Sequence, residues 1–184
     1  MKPLYERYCQ PPNNFWNHSN FLNSFASSFQ PTRYLELGVS RGETFTLVAQ
    51  HCGEAIAVEF LDLPFSLPHN AVHEKMTTDE YFSKINQSNI MFDMVFIDAD
   101  HSFEQSYKDF LNVKDKVVED GFVFFHDTYP VVSNLIHKDF CDTAYKTPVE
   151  IKNNFSNEWE LVTLPFNPGL TIARKLPNKQ LPWM

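Results

Sequence analysis

The sequence is poor in glycine, cysteine and positive charge, and each shortage excludes something. Its 184 residues include 5 Gly and 3 Cys, with 15 Lys plus Arg against 23 Asp plus Glu, for a formal net charge of −8. A chain without a basic footprint is not built to neutralise phosphates, so neither a nucleic-acid partner nor an anionic membrane surface is expected. Cys9, Cys52 and Cys141 are odd in number, far apart and form no CxxC pair. They read as free thiols in a reducing compartment rather than as a disulfide or zinc site. No apolar run approaches the length of a membrane span. The opening MKPLYERYCQPPNN has no apolar core of a secretory signal, so a cytoplasmic location is expected. There is no internal repeat and no low-complexity tract. The length fits one domain over 1–184: a helical segment (1–31), a core (32–130), and a loop, helix and hairpin (131–184).

What the chain does have is aromatic bulk, with 18 Phe, and an alternation of strand and helix patterns. Phe15, Phe21, Phe25 and Phe29 suggest one or two short amphipathic helices ending before Pro31. Arg33 to Leu37 reads as a strand, Gly42 to His51 as a helix, Glu54 to Glu59 as a strand and Ala71 to Lys75 as a third strand. Thr77 and Glu80 form a capping box for a helix carrying Tyr81, Phe82 and Ile85. Phe92 to Ile97 is an apolar run broken only by Asp93, as expected of a strand buried on both faces. Ser102 and Gln105 suggest a second capping box, followed by a helix with Phe103, Tyr107, Phe110, Leu111 and Val118 on one face. Gly121 is placed to end that helix. Phe122 to Phe125 reads as a strand and Asp142 to Asn153 as a helix. WELVTL and LTIARK, joined by PFNPG, form a hairpin, because the link is too short for a crossover. The pattern implies a Rossmann-like three-layer α/β/α fold, with a mostly parallel seven-stranded sheet and a C-terminal antiparallel hairpin.

On such sheets ligands bind at the carboxyl ends of the strands, and here those ends are acidic. The first strand runs into Glu36-Leu37-Gly38-Val39-Ser40-Arg41-Gly42, and the second ends at Glu59. The third leads to Thr77-Thr78-Asp79, the fourth ends in Asp98-Ala99-Asp100-His101 and the fifth in His126-Asp127. A dinucleotide loop, GxGxxG, would place glycines at 38, 40 and 43; only Gly38 is present. No GK[ST] occurs, so a phosphate-cradling P-loop is excluded. S-adenosylmethionine carries no phosphate. Its ammonium, ribose diol and adenine amine call for acceptors: Glu36 for the ammonium, Glu59 for the ribose and Asp79 for the adenine. Gly38 allows close backbone approach, Ser40 lies in the loop and Gly42 opens the next helix. The plainer alternatives are that Glu36 pairs with Arg33 or Arg41, and that Asp79 only stabilises its helix as a first-turn acid.

ExGxxxG, the acid at Glu59, and the runs FDMVFIDADHSFEQSYKDF and DGFVFFHDTYP resemble class I S-adenosylmethionine-dependent methyltransferases over about residues 33–130. Among them the chain looks most like the macrocin-type sugar O-methyltransferases, small enzymes of glycan and natural-product clusters. MTTDEYF resembles their adenine-side loop, and GLTIARK is a weaker echo near the end. Ser40 departs from the glycine common in the superfamily, and His126 stands where some relatives carry a second acid. The resemblance implies methyl transfer to a hydroxyl of a sugar or small metabolite. It also implies a divalent metal held by Asp98 and Asp127. Oxygen ligands suit Mg²⁺, whereas adding His126 favours Mn²⁺ or another transition metal. Asp98 is alternatively a neighbour of the cofactor's methionine part. Asp100 and His101 compete as the base that takes the acceptor proton. His18, His51, His69, His73 and His137 have no motif around them and receive no role. With so short a chain, a site left open or completed by a second copy is expected. Two rival functions stand beside this one, a nicotinamide-dependent oxidoreductase and a non-catalytic methyltransferase-like binding domain.

Overall fold

A computed structural model describes residues 17–165 and 168–178. The elements in chain order are α1 (His18–Phe29), β1 (Arg33–Leu37), α2 (Glu43–Ala49), β2 (Glu54–Val58), β3 (Ala71–Glu74) and α3 (Thr78–Ile85). They continue with β4 (Phe92–Ile97), α4 (Phe103–Val113), β5 (Val117–His126), α5 (Lys146–Phe155), β6 (Trp159–Leu164) and β7 (Leu170–Lys175). The seven strands form one sheet in the order β3-β2-β1-β4-β5-β7-β6. The pairs from β3 to β5 are parallel, while β7 runs antiparallel to both β5 and β6. The strand order reverses between β1 and β4, and that switch point opens a crevice at the carboxyl ends.

Period-two alternation sends side chains from the same strands into two separate cores. Leu35, Leu37, Val95, Ile97, Val123 and Phe125 face α3, α4 and α5, meeting Tyr81, Phe82, Phe110 and Ile151. Tyr34, Met94, Phe96 and Phe124 face α1 and α2, meeting Leu22, Ala26, Phe45 and Val48. Both faces are thus covered, and the expected three layers, parallel core and terminal hairpin are all present. The hairpin pairs Trp159 with Lys175 through to Leu164 with Leu170.

Three local expectations change. Val118 and Gly121 do not belong to a helix and its C-cap. The helix gives way at Lys114–Lys116 to a 3-10 turn, and β5 begins at Val117. The pairing of β4 with β5 shifts register between Phe92 and Met94, where Asp120 adopts φ 61°. A Cβ on Gly121 would fall 2.7 Å from Val117 Cγ1, so this glycine serves a tight bulge within the strand. The Ser102–Gln105 box is only half formed. Ser102 accepts from the Gln105 amide, but the Gln105 side chain turns away to Thr78, Asp79 and Asp109. By contrast the Thr77–Glu80 box is complete. Finally, α5 starts at Lys146 rather than Asp142, which sits at φ 41° and cannot open a helix. Phe15 and part of the PFNPG link (166–167) lie outside the described residues.

Candidate functional site

Gly38 leaves β1 at φ +80°, with its amide donating to Val58 O at 3.0 Å. A Cβ there would stand 2.4 Å from both Asp98 O and Ala99 Cα. The loop after β1 therefore touches the end of β4 backbone to backbone, which only glycine allows. Three cavities, of about 350, 440 and 290 Å³, all have Gly38 in their walls.

The 350 Å³ cavity runs from Gly38 past Val58, Glu59, Met76, Thr78 and Asp79 to Asp100 and Gln105. Its acid, Glu59, is held by three backbone amides. Oε2 accepts from Val39 and Ser40 at 3.3 and 3.2 Å, and Oε1 from Leu61 at 3.0 Å. Asp79 also lies here, in the first turn of α3, but it is paired with Lys108 at 2.6 Å. Lys108 holds its carboxyl below the ordinary range. Asp100 accepts from the Ser102 amide at 2.7 Å, a local turn at the start of α4.

The 290 Å³ cavity lies on the other side of the loop, lined by His18, Glu36, Ser40, Arg41, Thr44 and Asp98 among others. Ser40 sits in its wall at φ 48°, and Gly42 caps α2. Glu36 is buried, and neither Arg33 nor Arg41 neutralises it, since Arg33 pairs with Glu54. Instead the Tyr34 hydroxyl donates to it at 2.5 Å. Burial pushes the Glu36 carboxyl well above its usual range, against the opposing pull of that hydrogen bond. Arg41 forms no ion pair among the described residues and stands in the same wall.

The 440 Å³ cavity holds the charge cluster: Asp98, His101, His126 and Asp127, with Cys141 and Phe140 beside them. His101 Nδ1 is 2.9 Å from Asp127 and also meets Phe140 O, while its Nε2 lies 3.7 Å from Asp98. His126 Nδ1 is 3.0 Å from Asp98 Oδ1 and 3.4 Å from Asp127. The hydrogen bond to Asp127 raises the His101 imidazole to about 9. Burial works against charge on Asp127, but His101 and His126 outweigh it and hold the carboxyl low. Burial likewise works against charge on His126, yet Asp98 brings it above its ordinary value. The two carboxylates thus have imidazoles between them. His126 Nε2 is buried without a hydrogen-bond partner.

Every site residue expected from the sequence reaches one of these cavities except Gly42, which shapes the loop behind them. The two candidate bases separate, Asp100 into the 350 Å³ cavity and His101 into the 440 Å³ cavity with Asp127. Sequence reasoning missed His18, Arg41, Gln105, Lys108 and Cys141. Gln105 and Lys108 sit one turn apart on α4, a spacing visible in the sequence but without meaning until α3 is packed beside it. His18 had no signal at all, because it arrives from a separate helix.

Residues 35–128 match the family model described as a methyltransferase domain. No curated protein matches the chain. Among solved structures, a putative caffeoyl-CoA O-methyltransferase from Staphylococcus aureus aligns with TM-score 0.68 at 14% identity, covering 85% of this chain and 82% of that one. An SAH-bound methyltransferase from Podospora anserina gives 0.69 at 13%, covering 94% and 86%. An O-methyltransferase from Bacillus cereus in complex with SAH gives 0.67 at 13%, covering 91% and 83%. At these identities the likeness is one of fold.

Proposed function

The chain belongs to the methyltransferase-domain family, and from that premise we propose that it moves a methyl group from S-adenosylmethionine to a hydroxyl of a small acceptor. A sugar or related metabolite, as in the macrocin-type branch, is the proposed acceptor class. The observation that carries the reading is the junction at Gly38. On one side lies a cavity with an acid on fixed amides, on another a buried acid, and on the third an Asp–His cluster.

When bound, the cofactor supplies an electrophilic methyl, which bonds to the acceptor oxygen as its bond to sulfur breaks. The chain's own residues do the rest. Glu36 would hold the ammonium and Arg41 the carboxylate of the methionine end, both standing in the wall of the 290 Å³ cavity. Glu59, fixed by the amides of Val39, Ser40 and Leu61, keeps lone pairs for the ribose hydroxyls. Thr78, Asp79 and Gln105 offer polar groups to the adenine. A site this acidic favours a sulfonium cation and disfavours a pyrophosphate. His101 is the proposed base rather than Asp100, because it opens into the cavity left for the acceptor. It takes the hydroxyl proton when neutral, with Asp127 orienting the ring and stabilising the imidazolium that forms. Most of the acceleration comes from holding acceptor and methyl in line.

The residues also fit the divalent metal that the family resemblance implies. Asp98 and Asp127 bring carboxylates to the ends of β4 and β5, and the ligand atoms of Asp98, His101 and Asp127 lie within 4.8 Å of one another, as do those of His18, Asp98 and His126. Asp98 and Asp127 would hold it with an imidazole of the cluster, and its charge would lower the pKa of an acceptor hydroxyl.

The test is to incubate the protein with methyl-labelled S-adenosylmethionine and a panel of sugars and hydroxylated metabolites, then locate the label by mass spectrometry. Label on an acceptor oxygen supports the proposal. Label only on nitrogen, or none with any hydroxylated acceptor, overturns it.

A further inference from the structure

The first residue of α1 reaches the charge cluster. Asn17 caps the helix, its side chain accepting from the Asn20 amide at 2.7 Å, and so fixes where the helix begins. The next two residues then take set positions. Ser19 bonds Thr44 of α2 at 2.8 Å, and His18 lies over the carboxyl ends of β4 and β5. Its ring centroid is 5.9 Å from that of Phe96 and 4.0 Å from that of His126. His18, Asp98 and His126 each bring one ligand atom within 4.8 Å of the others. His126 already spends Nδ1 on Asp98, and its buried Nε2 is unpartnered. An imidazole nitrogen kept from water with no partner is costly unless something occupies it.

We propose that His18 is a metal ligand, completing with His126 and Asp98 a two-imidazole, one-carboxylate site for a transition-metal dication. This refines the metal assignment of the proposed methyl-transfer site and rests on that reading for its role in catalysis, but not for binding itself. The second overlapping set, Asp98, His101 and Asp127, has two carboxylates and one imidazole. That donor set suits Mg²⁺ or Mn²⁺, whereas two imidazoles suit Co²⁺, Ni²⁺ or Zn²⁺. The helix therefore decides which kind of ion the site prefers. Because α1 packs on α2 and on the sheet, His18 is positioned by the fold.

The experiment uses metal-free full-length protein titrated with Co²⁺, Zn²⁺ and Mg²⁺, followed by calorimetry and, for Co²⁺, by its visible absorption bands. The proposal expects one Co²⁺ or Zn²⁺ per chain, bound at least about a hundredfold more tightly than Mg²⁺. His18→Ala should lose at least about tenfold in Co²⁺ affinity and change the visible bands, whereas His69→Gln, outside both ligand sets, should retain both. Circular dichroism and melting temperature report whether His18→Ala is folded. His18→Gln keeps the helix propensity and makes the same prediction. Wild-type affinity for Co²⁺ in a folded His18 variant would overturn the proposal. So would equal affinity of the wild type for Mg²⁺, or no metal binding at all. A separate titration with S-adenosylhomocysteine keeps the readings apart. Metal binding without cofactor binding removes the methyl-transfer reading and leaves the metal site, and the reverse result does the opposite.

Discussion

The hydroxyl of Tyr34 donates a 2.5 Å hydrogen bond to Glu36, two positions along the same strand and therefore on the same face of the sheet. The pair is buried beside the loop that follows β1, and no cation among the described residues forms an ion pair with it. Burial raises the Glu36 carboxyl well above its ordinary range. In the free protein the acid therefore holds its proton to higher pH than it does unfolded. Stability contributed by this proton is complete below the unfolded value and declines as pH rises toward the raised folded value. An ammonium placed against the carboxyl would bring the pKa down again. S-adenosylhomocysteine binding should accordingly release a proton, and affinity should rise with pH until the free carboxyl has ionised. Calorimetry in buffers of differing ionisation heat measures this. No net proton release, or proton uptake, would separate Glu36 from the ammonium.

Gly38→Ala should fold poorly and bind no cofactor. The added methyl would stand 2.4 Å from the backbone of β4, at a φ that penalises any side chain. The backbone conformation alone costs about 1 kcal/mol, and the clash adds to it. Thermal denaturation with and without S-adenosylhomocysteine reads both effects. A variant with wild-type melting and affinity would show that the close approach of the two loops is unimportant.

Asp109, buried on α4, should make the protein less stable as it ionises. Burial raises it to about 6, against the opposing hydrogen bonds from Thr78 and Gln105, and its Oδ2 has no partner. A rise of about two units from the unfolded carboxylate corresponds to about 3 kcal/mol, lost as pH climbs from about 4 to about 6. Asp109→Asn should flatten that slope and be at least as stable as wild type at pH 7. Urea denaturation across that range would show it, and an unchanged slope would assign it to other groups.

Asp127→Asn should lower the turnover rate at least about a hundredfold, the size of a typical acid–base contribution, while sparing cofactor affinity. Asp127 lines the 440 Å³ cavity with His101 and Cys141 and is absent from the walls of the 350 Å³ cavity, where Thr78, Asp79 and Gln105 lie. An equal loss in cofactor affinity would place it on the wrong side of the site.

Much of this fold could be read from patterns that depend on local chemistry. The apolar run from Phe92 to Ile97, the Thr77–Glu80 box and the short link between the last two strands each have one plausible structural reading. The stretch from Val117 to Gly121 was harder, because a bulge within a strand and the end of a helix both call for glycine. Within the site, acids placed just after strands were legible, since topology carries all strand ends to one edge. His18 was not, because its place depends on how α1 packs across α2 and the sheet. The pairing of Lys108 with Asp79 was hidden for the same reason, being a contact between two helices.

The central claim is that the crevice at Gly38 binds S-adenosylmethionine, and calorimetry on wild-type protein and Glu59→Ala tests it most directly. Glu59 is anchored by backbone amides at the end of β2 and lines two of the three cavities. A hydrogen bond from a ligand to a charged group contributes about 1.5–3 kcal/mol, so its loss should weaken binding about tenfold or more. The account predicts one S-adenosylhomocysteine per wild-type chain, no measurable NAD binding, and at least that weakening in Glu59→Ala. NAD binding in place of S-adenosylhomocysteine, or unchanged affinity in a folded Glu59→Ala, would contradict it.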